Sequence, residues 1–600
     1  MYGMLVILLR PSFPWNNLSR TPVLSLALEG LHKLFRSTPH HHGAEAMYAA
    51  PRVMLPSSPA YLENRIDHVV LFVLESGRED AVPNPERFVH NVGLDFLEPY
   101  KPTDVMPFLT SLHQSSWVVP NVTASADYTT KSFTNIIGGA WPANQDHAVI
   151  EAHPKSLSYQ EPLPKALNRF AMSRGRQSSS AYFSAGKDDF VEYDKVIQKL
   201  GFDRYYNYSA IEARHKSEHL GPPLPFGFFG TADDEVLPHV HQWLSSQLGA
   251  PSDGVPPLTL ATFLTSASHL PFQLRDEYSK RRYVSEDRSD DWSNKYLQAW
   301  QSTDDYIRNI WSMYNEHNLI DNTLFVFLGD HGLALHDEHH KFWSTLGVWT
   351  EAAFRVPLFF SNPGLRPGTH QAPSSTTLDI VPSIMDLLIN SHPHSHQPAP
   401  PDSVNLLDLD PKQCEMSRLL RIYEGTSVFR SPKPDQSARV TFSLTNPGDN
   451  LPASLLLPFC QGDMRLVIDK IGDVVSAYHI GFDPHQLVDL MQDGPQLPDW
   501  VYVDDNGPQS SSTILSNANE RAMPAPREVG LRVAEDGRVQ IDLWEVKAWA
   551  KEMAEVARRW AFDVEERWMV GNASVFWEKR MAGYVEPEGC RGVGYNALSA

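Results

Sequence analysis

Asp330 and His331 stand side by side where an apolar run ends, in TLFVFLGDHG. A carboxylate next to an imidazole is half of a site for a divalent cation, because oxygen and nitrogen donors together suit such ions. In open α/β sheets ligands bind just beyond the carboxyl ends of strands, which is where this pair falls. Glu75 closes another apolar run, VVLFVLESGRED. By itself it reads as the first solvated residue of a loop; beside Asp330 and His331 it becomes a third ligand. The segment ADYTTKS adds alcohols, Thr129 and Thr130, at a predicted helix start. Free backbone N–H groups and the helix dipole stabilise a phosphate or sulfate there, and a nearby metal makes an alcohol a usable nucleophile. Either threonine could instead cap the helix. Downstream of His331, LALHDEHHK brings His336, His339, His340 and Lys341. We read His339 and Lys341 as binders of an anionic substrate.

These residues need strands and helices to bring them together. The run from His68, HVVLFVL, is continuously apolar, as expected of a strand covered on both faces. A helix is predicted over Met106 to Ser115, followed by a short strand from Trp117 to Val119. Phe133, Ile136 and Ile137 give the threonine segment helical spacing, which Gly138-Gly139 stops. LTLATFL, from Leu258 to Leu264, is a second buried strand and leads into TSASHLPF. A helix from Ser293 to His317 turns Trp300, Ile307, Ile310, Trp311 and Tyr314 inward. RVPLFF reads as one strand ending at Asn362-Pro363-Gly364, and Leu378 to Leu388 as a helix. Strands alternating with helices predict an α/β fold: a doubly wound, mostly parallel sheet with helices on both faces.

The remaining chain divides by composition. Residues 1–60 read as a juxtamembrane or linker segment, 61–390 as the catalytic domain, and the Pro-, His- and Ser-rich 391–402 as a linker. Residues 403–600 read as a smaller subdomain with an antiparallel sheet (RLLRIYEGTSVF, ARVTFSL, MRLVIDKIGDVVSAYHI). It ends in a helix from Asp542 to Trp568 carrying Trp544, Trp549, Met553, Val556 and Trp560.

A chain of 600 residues with 42% hydrophobic content has enough apolar surface for a large core. Its formal charge of -21 argues against nucleic acid as a partner. The three cysteines, Cys414, Cys460 and Cys590, lie far along the chain from the strand-end motif, which argues against thiolate catalysis and a cysteine zinc site there. Sequons at Asn17, Asn121, Asn207 and Asn572 point toward a secretory compartment. The apolar start, MYGMLVILL, reads either as the tail of a membrane helix or as a buried strand. Together these features predict a membrane-associated or secretory-pathway protein with its catalytic domain lumenal or extracellular, the N-terminus providing any membrane association.

The Asp-His-Gly strand end, with the acidic first strand and the alcohol-bearing helix, resembles the alkaline phosphatase/sulfatase superfamily. Formylglycine sulfatases carry Cys-x-Pro-Ser-Arg ahead of Leu-Leu-Thr-Gly. Setting Ile136-Ile137-Gly138-Gly139 on that closing turn puts Thr129 at the cysteine and Ser132 at the serine, with Lys131 for proline and Phe133 for arginine. Lacking the cysteine, the chain cannot form formylglycine. A glutamate, a threonine and an Asp-His pair resemble instead the metal site of phosphoglycerol and phosphoethanolamine transferases of the lipoteichoic acid synthase type. That resemblance implies one divalent ion (manganese, magnesium or zinc) held by Glu75, Thr129, Asp330 and His331, with Thr129 as nucleophile. It also implies that His269, in TSASHLPF, contacts the phosphate. Two-metal members use Asp-x-x-x-His upstream of the last strand, and residues 200–330 contain no such pair. The implied substrate is a small-molecule or lipid-headgroup phosphate or sulfate ester. The alternatives are sulfuric ester hydrolysis and an inactive, sulfatase-like binding ectodomain.

Overall fold

The computed structural model describes residues 64–81, 102–141, 161–187, 193–223, 229–249, 256–272, 274–283, 291–335, 350–370 and 375–390. In the C-terminal third it describes 423–430, 441–445, parts of 456–492, 501–503, 531–533 and parts of 539–557. The N-terminal segment, His336, His339, His340, Lys341 and the 391–402 linker lie outside the described residues.

Eight strands form the main sheet: β1 (His68–Leu74), β2 (Trp117–Val118), β4 (Ser178–Ser184), β5 (Arg204–Tyr206), β6 (Leu258–Leu264), β7 (Thr323–Gly329), β9 (Leu358–Ser361) and β10 (Gly368–Thr369). Their order is β10-β2-β9-β7-β1-β6-β4-β5. From β7 through β5 all neighbours run parallel. Val69, Leu71 and Val73 of β1 pack on one face, and Val70, Phe72 and Leu74 on the other. On the first face lie α2 (Thr129–Gly138), α3 (Leu163–Ser173), α4 (Tyr193–Leu200) and α8 (Ile380–Asn390). On the second lie α1 (Pro107–Gln114), α5 (Leu237–Leu248) and the long α6 (Asp291–Glu316). Two covered faces explain why β1, β6 and β7 read as unbroken apolar runs. The chain is thus an α/β protein with a doubly wound, mostly parallel sheet.

A ladder of phenylalanines locks the register. Phe183, Phe263, Phe72, Phe327 and Phe359 stack across β4, β6, β1, β7 and β9 with centroids 4.5–4.9 Å apart. That spacing matches the distance between neighbouring strands. With β1 and β7 in register, Leu74 lies opposite Gly329, so Glu75 and Asp330 leave the sheet together.

Several expectations need correction. RVPLFF is not one strand: Pro357 separates β8 (Arg355–Val356), which pairs with β3 (Val122–Thr123), from β9. β9 runs antiparallel to β7, so Asn362 lies at the opposite edge from the site. There its side-chain amide donates to the carbonyls of Asp321 and Thr323, at 3.1 and 2.8 Å. Ser178–Ser184 is an interior parallel strand, next to the edge strand β5, that the sequence reading passes over, its serines hiding the buried Ala181, Tyr182 and Phe183.

The C-terminal antiparallel sheet has the order β11 (Thr441–Phe442), β12 (Leu456–Gln461), β13 (Met464–Asp469) and β14 (Val474–His479). A small second sheet joins β15 (Val501–Val503), β16 (Leu531–Val533) and β17 (Val539–Ile541). The described part of RLLRIYEGTSVF, residues 423–429, forms turns and not a strand. The C-terminal helix is present over described residues from 543 onward, with Trp549 and Met553 buried but Trp544 56% exposed. Phe442, Leu466, Ile468 and Trp549 share one core with Phe133 and Ile136 of α2.

Candidate active site and metal centre

β1 delivers Glu75 into a sharp turn. Ser76 adopts φ +52, a left-handed conformation uncommon for a residue with a side chain. The turn is held on every side. The Ser76 N–H donates to Asp330 Oδ1 (2.9 Å), the Tyr296 hydroxyl donates to the Ser76 carbonyl (2.8 Å), and Ser76 Oγ donates to Glu75 Oε1 (2.8 Å). Arg78, fully buried, ties the turn to the Leu333 carbonyl across the site.

α2 begins with Thr129, and neither threonine caps it. The cap position is Tyr128, which makes no side-chain cap bond. The Thr129 hydroxyl donates to Glu75 Oε2 at 2.8 Å and lies 3.4 Å from His331 Nε2. Ser132, one turn along, donates to the Asp330 carbonyl, which docks the helix on the β7 end. Gly139 ends the helix at φ +65 with the Tyr423 ring beneath it, where a Cβ would come within 2.6 Å of Tyr423 Cδ1.

At the end of β7, Asp330 Oδ1 accepts from its neighbour's N–H (2.8 Å) and from Ser76. His331 Nδ1 donates to the Gly332 carbonyl at 2.8 Å, leaving Nε2 to face Thr129 and the two acids. Nε2 is 3.4 Å from Asp330 Oδ2 and 3.7 Å from Glu75 Oε1. Glu75, Asp330 and His331 each present a ligand atom within 4.8 Å of the others, and all three are buried.

Charge in this cluster is out of balance. Burial raises the Glu75 carboxyl, but electrostatic interaction with the His269 and His331 rings and hydrogen bonds from Thr129 and Ser76 outweigh it and hold the group low. Burial and the neighbouring Glu75 charge push Asp330 well above the carboxylate range. Burial also depresses the His331 imidazole. Asp330 Oδ2 is buried with no hydrogen-bond partner among the described residues. An unsatisfied carboxylate oxygen facing an imidazole lone pair and a second carboxylate is what a divalent cation would neutralise. The donor set therefore fits such an ion.

His269 lies on the loop after β6, half-buried, its ring centroid 3.8 Å from that of Phe229 and its Nδ1 donating to the Leu270 carbonyl. Its ring is an electrostatic neighbour of both Glu75 and His331. The same loop grips Glu75 twice: Thr265 Oγ1 accepts the Glu75 N–H at 3.0 Å, and Ser268 Oγ donates to the Glu75 carbonyl. Beneath it, buried Asp233 accepts from the Ser266 N–H and hydroxyl and from the Ala267 N–H. Thus Glu75, Thr129, Asp330 and His331 come together with His269 facing them, while His339 and Lys341 lie outside the described residues. The sequence reading gave Ser76, Arg78, Thr265 and Ser268 no role of their own, although the first two lie in the Glu75-Ser-Gly-Arg78 run and the others in TSASHLPF, both of which carry the resemblance; Asp233 had no signal.

The lipoteichoic acid synthase-like protein YvgJ of Bacillus subtilis (strain 168) is 25% identical over 222 residues, 35% of this chain and 32% of that protein. The choline-sulfatase of Rhizobium meliloti (strain 1021) is 38% identical over 69 residues, 12% of this chain and 13% of that protein. The chain thus spans a third or less of the length of these curated relatives. Among solved structures, the lipoteichoic acid synthase LtaP from Listeria monocytogenes superposes with a TM-score of 0.49 at 14% identity, covering 73% of this chain and 90% of that one. An alkaline phosphatase superfamily protein from Vibrio parahaemolyticus gives 0.45 at 13% identity, covering 70% and 81%. Residues 67–391, more than half of the chain and all of the segments that build the site, match the Sulfatase family, and the protein belongs to that family.

Proposed function

We propose that this enzyme is a one-metal phosphoester hydrolase or phosphotransferase with Thr129 as its nucleophile. The observation that carries this reading is the Thr129 hydroxyl, which is turned away from helix capping and toward Glu75 and His331. Glu75, Asp330, His331 and Thr129 would hold one manganese, magnesium or zinc ion. When bound, such an ion supplies a Lewis acid that favours the ionised alcohol and offsets charge on phosphoryl oxygens. Thr129 loses its proton toward Glu75 Oε2. Its oxygen bonds to phosphorus as the ester P–O bond breaks, and the leaving alkoxide takes a proton from water. His269 binds the phosphoryl oxygens. Water or an acceptor alcohol then bonds to phosphorus as the Thr129 O–P bond breaks; the Thr129 oxygen takes back the proton held by Glu75, and the proton shed by the attacking water or alcohol neutralises the hydroxide left by the first step.

The substrate class we infer is a small-molecule or lipid-headgroup phosphodiester, in keeping with the lipoteichoic acid synthase-like relative. A membrane-linked or secretory location, with the catalytic part lumenal or extracellular, suits such a substrate. No helix among the described residues is long and apolar enough to cross a membrane. The choline-sulfatase likeness favours a second reading, sulfate-ester hydrolysis; Thr129 in place of a formylglycine precursor weighs against it. A panel of model phosphodiesters, phosphomonoesters and sulfate esters separates the two. Trapping followed by mass spectrometry should find phosphate on Thr129. Phosphate on Thr130, or turnover confined to sulfate esters, would overturn the assignment, and a protein that neither binds divalent ion nor turns over any ester is the inactive binding ectodomain.

A further inference from the structure

The Asp-His-Gly loop leans on a short helix, α7 (Glu351–Phe354). The Gly332 N–H donates to the Ala353 carbonyl at 2.7 Å. The approach is so close that a Cβ on Gly332 would lie 2.0 Å from the Ala352 carbonyl oxygen. Gly332 in turn accepts from His331 Nδ1, the bond that aims Nε2 into the site. α7 thus abuts the residue whose carbonyl holds the His331 ring.

Residues of the C-terminal third hold α7 in place. Glu351, 2% exposed, binds Arg355 Nε at 2.5 Å and is also paired with the guanidinium of Arg465 on β13, itself 2% exposed. The Glu351 N–H donates to Gln486 Oε1 at 2.8 Å, and the Arg465 guanidinium lies 5.8 Å from the Phe354 ring centroid. A second contact grips the segment leading into α2. Leu444 receives the Asp127 N–H and donates to the Ser125 carbonyl, while Ser443 Oγ donates to the Ala124 carbonyl.

We propose that Arg465 is a positioning residue for the metal loop. By neutralising buried Glu351 it seats α7 against Gly332 and so keeps His331 Nε2 directed at Thr129 and Glu75. This rests on the one-metal reading only for its functional readout.

The test uses the full chain and three variants. Arg465→Met removes the charge. Glu351→Gln/Arg465→Met removes both charges, a change buried pairs often tolerate, and covers the case in which the single variant does not fold. Arg430→Met breaks another C-terminal ion pair, with Asp386 on α8, away from the loop. Hydrogen exchange read by mass spectrometry on the peptide containing Gly332 should accelerate in the first two variants and not in Arg430→Met. Calorimetric titration of metal-stripped protein with manganese should show affinity weakened by about 10–100-fold, the range seen when groups orienting metal ligands are removed. Turnover should fall through kcat, with KM within about twofold; Arg465→Lys should restore most of it. Unchanged exchange at Gly332 in both variants, or equal acceleration in Arg430→Met, would overturn the proposal. If the wild-type protein itself binds no manganese, the one-metal reading fails and the exchange measurement alone decides the role of Arg465.

Discussion

Asp330 and Glu351 are carboxylates buried to a similar degree in neighbouring parts of the molecule, yet their surroundings differ in kind. Glu351 faces two guanidiniums; burial raises its carboxyl, but Arg355 and Arg465 outweigh that and hold it below the usual range. Asp330 faces another carboxylate and an imidazole depressed by burial, and its carboxyl is pushed well up. The Glu351 cluster is neutralised by the protein's own side chains. Asp330 is held by the Ser76 and His331 N–H groups and lies beside the His331 ring. The difference separates two roles: a buried acid matched by arginine holds structure, and in the proposed one-metal reading the unmatched acid is where a cation would bind.

The sharpest way to break this contrast is to remove groups on the unmatched side. Asp330→Ala/His331→Ala should retain no divalent ion after dialysis against manganese, by elemental analysis. Thr129→Ala should lower kcat on the order of 10⁴–10⁶-fold, as loss of a catalytic nucleophile does, while Thr130→Ala stays within about tenfold. Full metal occupancy in the double variant would remove the site from Asp330 and His331.

Stability gives the next largest effect, and the two acids should respond with opposite signs. Glu351→Ala leaves the guanidiniums of Arg355 and Arg465 without their carboxylate and should cost about 3–5 kcal/mol in urea unfolding. In metal-stripped protein Asp330→Asn should be neutral or stabilising, because burial and Glu75 both oppose an ionised carboxylate at that position. Equal losses in both variants would erase the distinction.

Asp233 is an intermediate case, a buried acid satisfied by N–H and O–H donors of Ser266 and Ala267 without a cation. Burial pushes its pKa up to about 6. The unfolded carboxyl titrates near 3.9, so between about pH 4 and pH 6 the native state keeps a proton that the unfolded state has shed. Stability should therefore fall as pH rises through that window, by about 3 kcal/mol in all. Asp233→Asn should abolish this component, so that its stability relative to wild type climbs between pH 4.5 and pH 7 in urea titrations. The smallest effect belongs to Ser443→Ala, which loses one hydroxyl bond to Ala124 and should cost about 0.5–1.5 kcal/mol with little change in metal affinity.

The sequence alone determined the donor types and the elements that carry them. Val69 to Leu74 and Leu324 to Leu328 read as two-face-buried strands because they are, and Glu75, Asp330 and His331 follow as the first residues past the core. Phe133, Ile136, Ile137 and the left-handed Gly139 made α2 readable from its start at Thr129 to its end. What stayed hidden depends on pairings between distant residues. Strand direction is not written in RVPLFF, so only the sheet reveals that β9 runs against β7 and carries Asn362 away from the site. SSSAYFS lacks a continuous apolar run, and its place between β6 and β5 comes from neighbours on both sides. Asp233 beneath the His269 loop and Arg465 against Glu351 carry no local pattern, because hydrogen bonds and ion pairs across the fold depend on geometry and not on spacing along the chain. Residue chemistry is local and survives in the sequence; register, direction and the balance of buried charge arise only when the chain has folded.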